Sequence, residues 1–259
     1  MPKKENICNH CFEKKADHKK SHIIPEFIFR SGNIYDGNDH NLLIVDPYRK
    51  RDLGKSSTAP YEKYIFCKDC EKRHSAVESK ASRILYHDDF DPETIKDSNA
   101  GLVTIKEFEE VNSDLFKHFL LLMLFRAEFS KRELFKQVKL GPYKERFRKI
   151  LNNELPIEES GCYFYVFNFN NLLRNDLKRL SSPFHRMRVS GRKAYTIFLA
   201  GLGFIYHLNH PDVEILKDLE ITGERGTKVN LITKKNAAKI LLTSVFNVPE
   251  YIAREMLYS

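Results

Sequence analysis

The chain has 259 residues, 42% of them hydrophobic with 19 Phe and 12 Tyr, and 43 Lys and Arg against 35 Asp and Glu for a net charge of +8. That apolar content excludes a disordered chain, and the length allows one or two domains with substantial cores. The positive excess makes a polyanion such as nucleic acid the natural partner, and no apolar leader or bilayer-length run is visible, which predicts a cytoplasmic protein without membrane association.

From the N-terminus, residues 7–12 read as a metal knuckle around Cys8-x-x-Cys11. Residues 20–24 are extended, because the residue before Pro25 is pushed out of the α region, and Pro25 itself suits the start of a helical turn. Residues 31–60, rich in Gly, Asn, Asp and Ser, predict loops around one strand at 42–45. A strand at 61–66 then delivers Cys67-x-x-Cys70. Two pairs of matching spacing supply the four thiolates of a closed tetrahedral zinc site. CxxC pairs also occur as redox centres or free core thiols, but the polar, Lys-rich flanks favour zinc. Residues 12–66 lie between the pairs, so something must fold inside the loop that the metal closes. Cys162 stands alone within Cys-Tyr-Phe-Tyr-Val-Phe and reads as a buried apolar residue.

After Cys67 the pattern is helical, with Val77, Ala81, Ile84 and Leu85 forming a buried stripe. Glu71, His74 and Glu78 share a face of this helix. They are either an ordinary solvated surface or a candidate divalent-cation site, since imidazole and carboxylate both ligate metals. Basic residues concentrate in the cysteine-bearing part, among them Lys14, Lys15, Lys19, Lys20, Arg30, Arg49, Lys50, Arg51, Lys55, Lys72 and Arg73. The acidic run 87–94, which contains Pro92, predicts a boundary between a zinc-binding module at 1–88 and an α+β scaffold or recognition domain at 89–259.

Further on, residues 112–137 form a mostly buried helical pattern through Leu115, Phe119, Leu122, Met123 and Arg126, capped by Asn112 or Ser113. Gly141-Pro142 breaks it. Residues 143–151 form a basic amphipathic helix whose Lys144, Arg146, Arg148 and Lys149 face solvent or phosphate. Strands follow at 162–169, 194–199, 204–208 and 227–232, and helices at 234–242 and 249–257 close the chain. The expected fold class is α+β: an N-terminal four-cysteine zinc module, a helical middle, and a C-terminal antiparallel sheet with short helices. No Gly-rich phosphate loop, serine elbow or dinucleotide fingerprint appears, so the second half reads as a scaffold for nucleic acid, a protein partner or another copy of the chain.

The order Cys8-x-x-Cys11, then Ser21-His22-Ile23-Ile24-Pro25, then Cys67-x-x-Cys70 leading into a helix, resembles the zinc-stabilised HNH endonucleases of the treble-clef, or ββα-metal, fold. It is also similar to a group of bacterial proteins that share Ser-His-Ile-Ile-Pro and Cys-x-x-Cys-Glu. The resemblance covers about the first 85 residues. It implies a structural zinc on Cys8, Cys11, Cys67 and Cys70, His22 as the general base that activates water, and Glu71 as a helix ligand for a catalytic Mg²⁺ or Mn²⁺. His74 is inferred as a second ligand or substrate contact, with Glu78 beside it. The nucleic-acid contacts it suggests are Lys19, Lys20, Arg30, Lys72 and Arg73.

Two positions depart from the family pattern. Ser21 stands where the family has a metal-binding Asp or His, and Glu62 stands where an Asn is usual. Either Glu71, Glu78 and Asp17 rebuild the cation site, or the module keeps the fold and has given up hydrolysis. His22 has two readings of its own, a neutral base and a hydrogen-bonded core histidine. Two functions follow: a metal-dependent endonuclease acting on DNA in bacterial defence, or a non-catalytic zinc module that binds nucleic acid or protein.

Overall fold

The computed structural model describes residues 6–31, 35–36, 39–40, 42–46, 51–56, 59–86, 94–97, 103–108, 112–169, 172–173, 180–189, 191–209, 219–221, 227–232 and 234–258. The N-terminal part holds β1 (Ser21–His22), α1 (Glu26–Ser31), β2 (Tyr35–Asp36), β3 (Asp39–His40), β4 (Leu42–Asp46), β5 (Arg51–Ser56), β6 (Tyr61–Glu62) and α2 (Lys68–Tyr86). The middle adds β7 (Thr94–Asp97), β8 (Val103–Phe108), α3 (Ser113–Glu128) and α4 (Tyr143–Leu151). The last part contributes β9 (Cys162–Asn168), β10 (Leu180–Ser181), β11 (His185–Val189), β12 (Arg192–Leu199), β13 (Leu202–Leu208), β14 (Thr227–Ile232), α5 (Lys235–Ile240) and α6 (Glu250–Tyr258).

The architecture is mixed α+β around a ten-stranded sheet ordered β5-β4-β10-β12-β13-β9-β14-β8-β7, with β11 also on β12. The expectation of a purely antiparallel sheet needs correction. Strand β10 runs parallel to β4, and β14 runs parallel to β9. In both cases the partner arrives over a long connection instead of a hairpin, and such a connection permits either direction. The central hairpin β12–β13 is antiparallel and turns through Ala200 and Gly201, both at positive φ, the backbone of a two-residue turn that matches the strand twist.

Both faces of the sheet are covered, which explains the continuous apolar runs of its central strands. On one face Phe164, Val166, Tyr195, Ile197, Phe204 and Tyr206 join a core with α3, α4 and the cysteine-bearing segment. On the other, Tyr165, Phe167, Phe169 and Phe198 pack with Ala238, Leu242, Phe246 and Met256. Gly203 is required there, because a Cβ on β13 would overlap the Phe246 ring. Of the acidic segment expected to divide the chain, residues 87–93 lie outside the described residues and Thr94 opens β7. Residues on either side of it share the first core, and β4, β5, β7 and β8 all enter the one large sheet.

Helix α3 is buried along most of its length between α2, α4 and the sheet. Its start is fixed by Asn112, whose side-chain oxygen accepts the Leu115 N–H at 3.0 Å. It is shorter than the expected 112–137. The Glu128 carboxylate accepts the Leu140 N–H at 2.8 Å, which folds the chain back through a 3-10 turn at Glu133–Phe135. Helix α4 has the expected bounds, but Arg148 is not left to solvent. It pairs with Glu145 and Glu154 and lies 5.2 Å from the Phe12 ring.

Candidate metal centre

The four cysteines converge through backbone geometry that their neighbours enforce. Ile7 and Lys15 form an antiparallel bridge, Cys8 N–H donates to Lys14 O at 2.8 Å, and Phe12 takes a positive φ of 58°, so residues 8–11 form a tight knuckle. Strand β6 leads through Tyr64, also at positive φ, to Cys67, and α2 begins at once, which puts Cys70 in its first turn. The two segments are tied by Asn9 N–H to Ile65 O at 3.0 Å and His18 N–H to Phe66 O at 3.1 Å. The Lys68 N–H, at the start of α2, is capped by the Asp17 carboxylate at 2.9 Å.

All four Sγ atoms lie within 4.8 Å of one another, and Cys11 and Cys67 Sγ are 3.9 Å apart. A tetrahedron with Zn–S near 2.3 Å has edges of about 3.8 Å. The residues therefore fit a zinc ion, with Cys8, Cys67 and Cys70 buried and Cys11 partly exposed. Anionic sulfur is already provided for: Cys67 N–H approaches Cys8 Sγ at 3.2 Å and an Arg73 N–H donates to Cys70 Sγ at 3.1 Å. A hydrogen bond from Cys70 holds the Cys8 thiol down at about 4, while that same contact and burial push Cys70 up. A bound cation would favour the thiolate form of such a set. Among the described residues, this is the one group of Cys, His, Asp and Glu whose ligand atoms converge.

The carboxylates assigned to a divalent cation have another partner. Arg126 of α3, 1% exposed, donates to Glu71 Oε2 at 3.0 Å, to Glu78 Oε1, and to the main-chain oxygen of His22 at 2.9 Å. The guanidinium fork ties β1 and two turns of α2 to the central helix. Burial raises the Glu78 carboxyl, with Arg126 opposing that shift.

His74 is buried and turns to a residue outside the expected site. Its Nε2 lies 2.8 Å from His10 Nδ1, and the two rings stack at 4.9 Å. Its Nδ1 stands 4.0 Å from Glu71 Oε1. Burial holds both imidazoles neutral, with His10 at about 4 and His74 well below its ordinary value. His22, half-buried on β1, meets Tyr61 of β6 edge-on at 6.3 Å; its Nε2 is buried without a hydrogen-bond partner, and burial lowers its pKa.

Other assigned residues fall as follows. Ser21 is buried and pairs across the ladder with Glu62, whose carboxylate accepts the Ser130 hydroxyl at 2.8 Å and the Lys131 N–H at 3.0 Å. Asp17 serves as the cap described above. Lys19, Lys20 and Lys72 are exposed, Arg30 pairs with Glu26, and Arg73 is turned to the Cys70 sulfur. Two residues central to the site went unassigned in the sequence. Arg126 carried a signal, since a charge on an apolar helical stripe must bury with a counter-charge. His10, between the first two cysteines, carried none that separates it from an exposed knuckle residue.

No protein-family model, curated protein or solved structure matches the chain. No helix among the described residues is long and apolar enough to cross a membrane.

Proposed function

We propose that this protein is a zinc-stabilised nucleic-acid-binding protein whose N-terminal part has the treble-clef, ββα-metal arrangement without a catalytic divalent cation. The observation that carries this reading is Arg126. Its guanidinium takes one oxygen of Glu71, one of Glu78 and the His22 carbonyl, so the two carboxylates already have a buried counter-charge in the place a hard cation would take. Nucleic acid is favoured as partner by the β1–β6 ladder that carries His22. Lys20 and Arg132 stand 5.5 and 5.4 Å from the Tyr61 ring, and Lys63 and Lys131 are exposed nearby in sequence. Such cations beside an aromatic suit a phosphodiester backbone.

The test is binding of zinc-loaded protein to a DNA duplex at low and moderate salt, run beside plasmid nicking with Mg²⁺ or Mn²⁺. Salt-sensitive binding without nicking is expected, and no binding even at low ionic strength rejects the reading. One observation favours the alternative of an HNH-type endonuclease: the His22 ring is neutral and its buried Nε2 has no partner, as a general base requires. Nicking by wild type that His22→Ala abolishes would establish that reading instead.

A further inference from the structure

The edge strand β11 carries a second concentration of charge that the zinc part does not explain. Arg186 and Arg188 are exposed on one face of β11, and Arg188 stands directly opposite Lys193 of β12. With Met187, these three line a depression of about 340 Å³. Like charges directly opposite each other on a ladder repel. Among the described residues no carboxylate answers them: Arg188 donates to Gly191 O at 3.1 Å, Lys193 donates to Lys139 O at 3.1 Å, and the Arg186 guanidinium has no hydrogen-bond or ion-pair partner. An uncompensated cation set on an edge strand is the complement of an external anion.

The depression is also tied to the β1–β6 ladder that carries His22. Segment 130–139 starts on β6, where Arg132 donates to Tyr61 O at 3.0 Å and Lys131 N–H to Glu62. It ends on the sheet, where Leu134 O accepts the Phe184 N–H and Gln137 Oε1 the Arg186 N–H, each at 2.9 Å. Lys131, Arg132 and Lys139 on this segment are exposed, while Lys136 is answered by Glu133. Basic side chains therefore run from Lys20 and Arg132 to Arg186, Arg188 and Lys193 along one covalent bridge.

We propose that Arg186, Arg188 and Lys193 form a second phosphate-binding surface, which extends nucleic-acid contact from the β1–β6 ladder across segment 130–139 onto the C-terminal sheet. The inference rests on the nucleic-acid reading above and adds to it where the duplex lies. Each phosphate contact made by a cation releases counterions, so its loss flattens the dependence of binding on salt by about 0.9 in log–log slope.

The experiment compares zinc-loaded, full-length wild type with the Arg186→Gln, Arg188→Gln, Lys193→Gln variant on the same DNA duplex across a salt series. Weaker binding at low salt and a slope shallower by about 2 to 3 are expected, equally for duplexes of unrelated sequence. Relief of the Arg188–Lys193 repulsion should leave the thermal unfolding midpoint of the variant unchanged or raised, so lost binding cannot be lost fold. Wild-type affinity and slope in the variant would overturn this surface while leaving nucleic-acid binding intact. Absence of binding by wild type would overturn both.

Discussion

Helix α2 serves two anionic clusters, and they are neutralised in opposite ways. At its first turn Cys70 joins three other sulfurs, which meet one another and the N–H groups of Cys67 and Arg73, an arrangement that an external cation would complete. Glu71, the next residue, and Glu78, about two turns further on, reach a cation that the chain itself supplies, Arg126. The first cluster is built from residues close in sequence within each pair. The second is closed by an arginine 55 positions from Glu71. A metal-like set of acids on a helix face therefore identifies a metal site only when no buried guanidinium arrives from elsewhere.

Removing the external cation should have the largest effect. Structural zinc contributes on the order of 10–16 kcal/mol in small zinc-folded peptides, comparable with the whole stability of a domain. Cys8, Cys67 and Cys70 belong to the same core as α3 and the sheet. Elemental analysis should find one zinc per chain, and chelation or Cys67→Ser should abolish the cooperative melt of that core, followed by circular dichroism. An unchanged melt in metal-free protein would remove zinc from the account.

Removing the internal cation ranks second. Arg126→Ala leaves two carboxylates, 10% and 17% exposed, facing one another without a counter-charge, and should cost about 3–5 kcal/mol in urea denaturation. Neutralising the whole group, Arg126→Met with Glu71→Gln and Glu78→Gln, should recover most of that loss, because a buried ion pair contributes little over a neutral isostere. The comparison between clusters breaks if Arg126→Ala stays stable by taking up Mn²⁺, for the clamp would then be a metal site with a displaced tenant.

Much of this was legible in the sequence, for physical reasons. Paired cysteines declare their own chemistry, and the four sulfurs converge as the two Cys-x-x-Cys pairs imply, placed to hold a metal ion. The central strands were readable because burial on both faces makes them uniformly apolar, and α4 because its amphipathic period stands between Pro142 and a turn. What stayed hidden depends on contacts distant in sequence. Strand direction in β4–β10 and β14–β9 is set by long connections, and Glu128 shortens α3 by bonding Leu140. Arg148 reads as a solvated charge until Glu145, Glu154 and Phe12 surround it.

The third prediction concerns acid. Burial holds His74 well below its ordinary value of 6.5, so the folded state binds its proton less readily than the unfolded chain. Stability from this group is therefore fully present above about pH 6.5 and is lost as pH falls below it, by at most about 1.4 kcal/mol per pH unit for one proton. Protonation of the cysteine sulfurs would weaken metal binding in the same direction. The readout is accordingly the difference between wild type and His74→Gln, whose urea-derived stability should fall less steeply between pH 7 and 5. Parallel curves would show that the imidazole is not the acid-sensitive element.

The smallest effect separates a cap from a ligand at Asp17. Its carboxylate accepts the Lys68 N–H at 2.9 Å, one of the donors that the first turn of α2 leaves without a helical partner. Asp17→Ala should cost about 1 kcal/mol, and Asp17→Asn, which keeps an acceptor oxygen at the cap, a few tenths. On the reading proposed above neither should change metal content, because sulfur would hold the cation of the first cluster and Arg126 already answers the second. If Asp17→Asn instead loses a bound divalent ion while keeping its zinc, the carboxylate is a ligand, and α2 serves a third charge cluster that Arg126 does not reach.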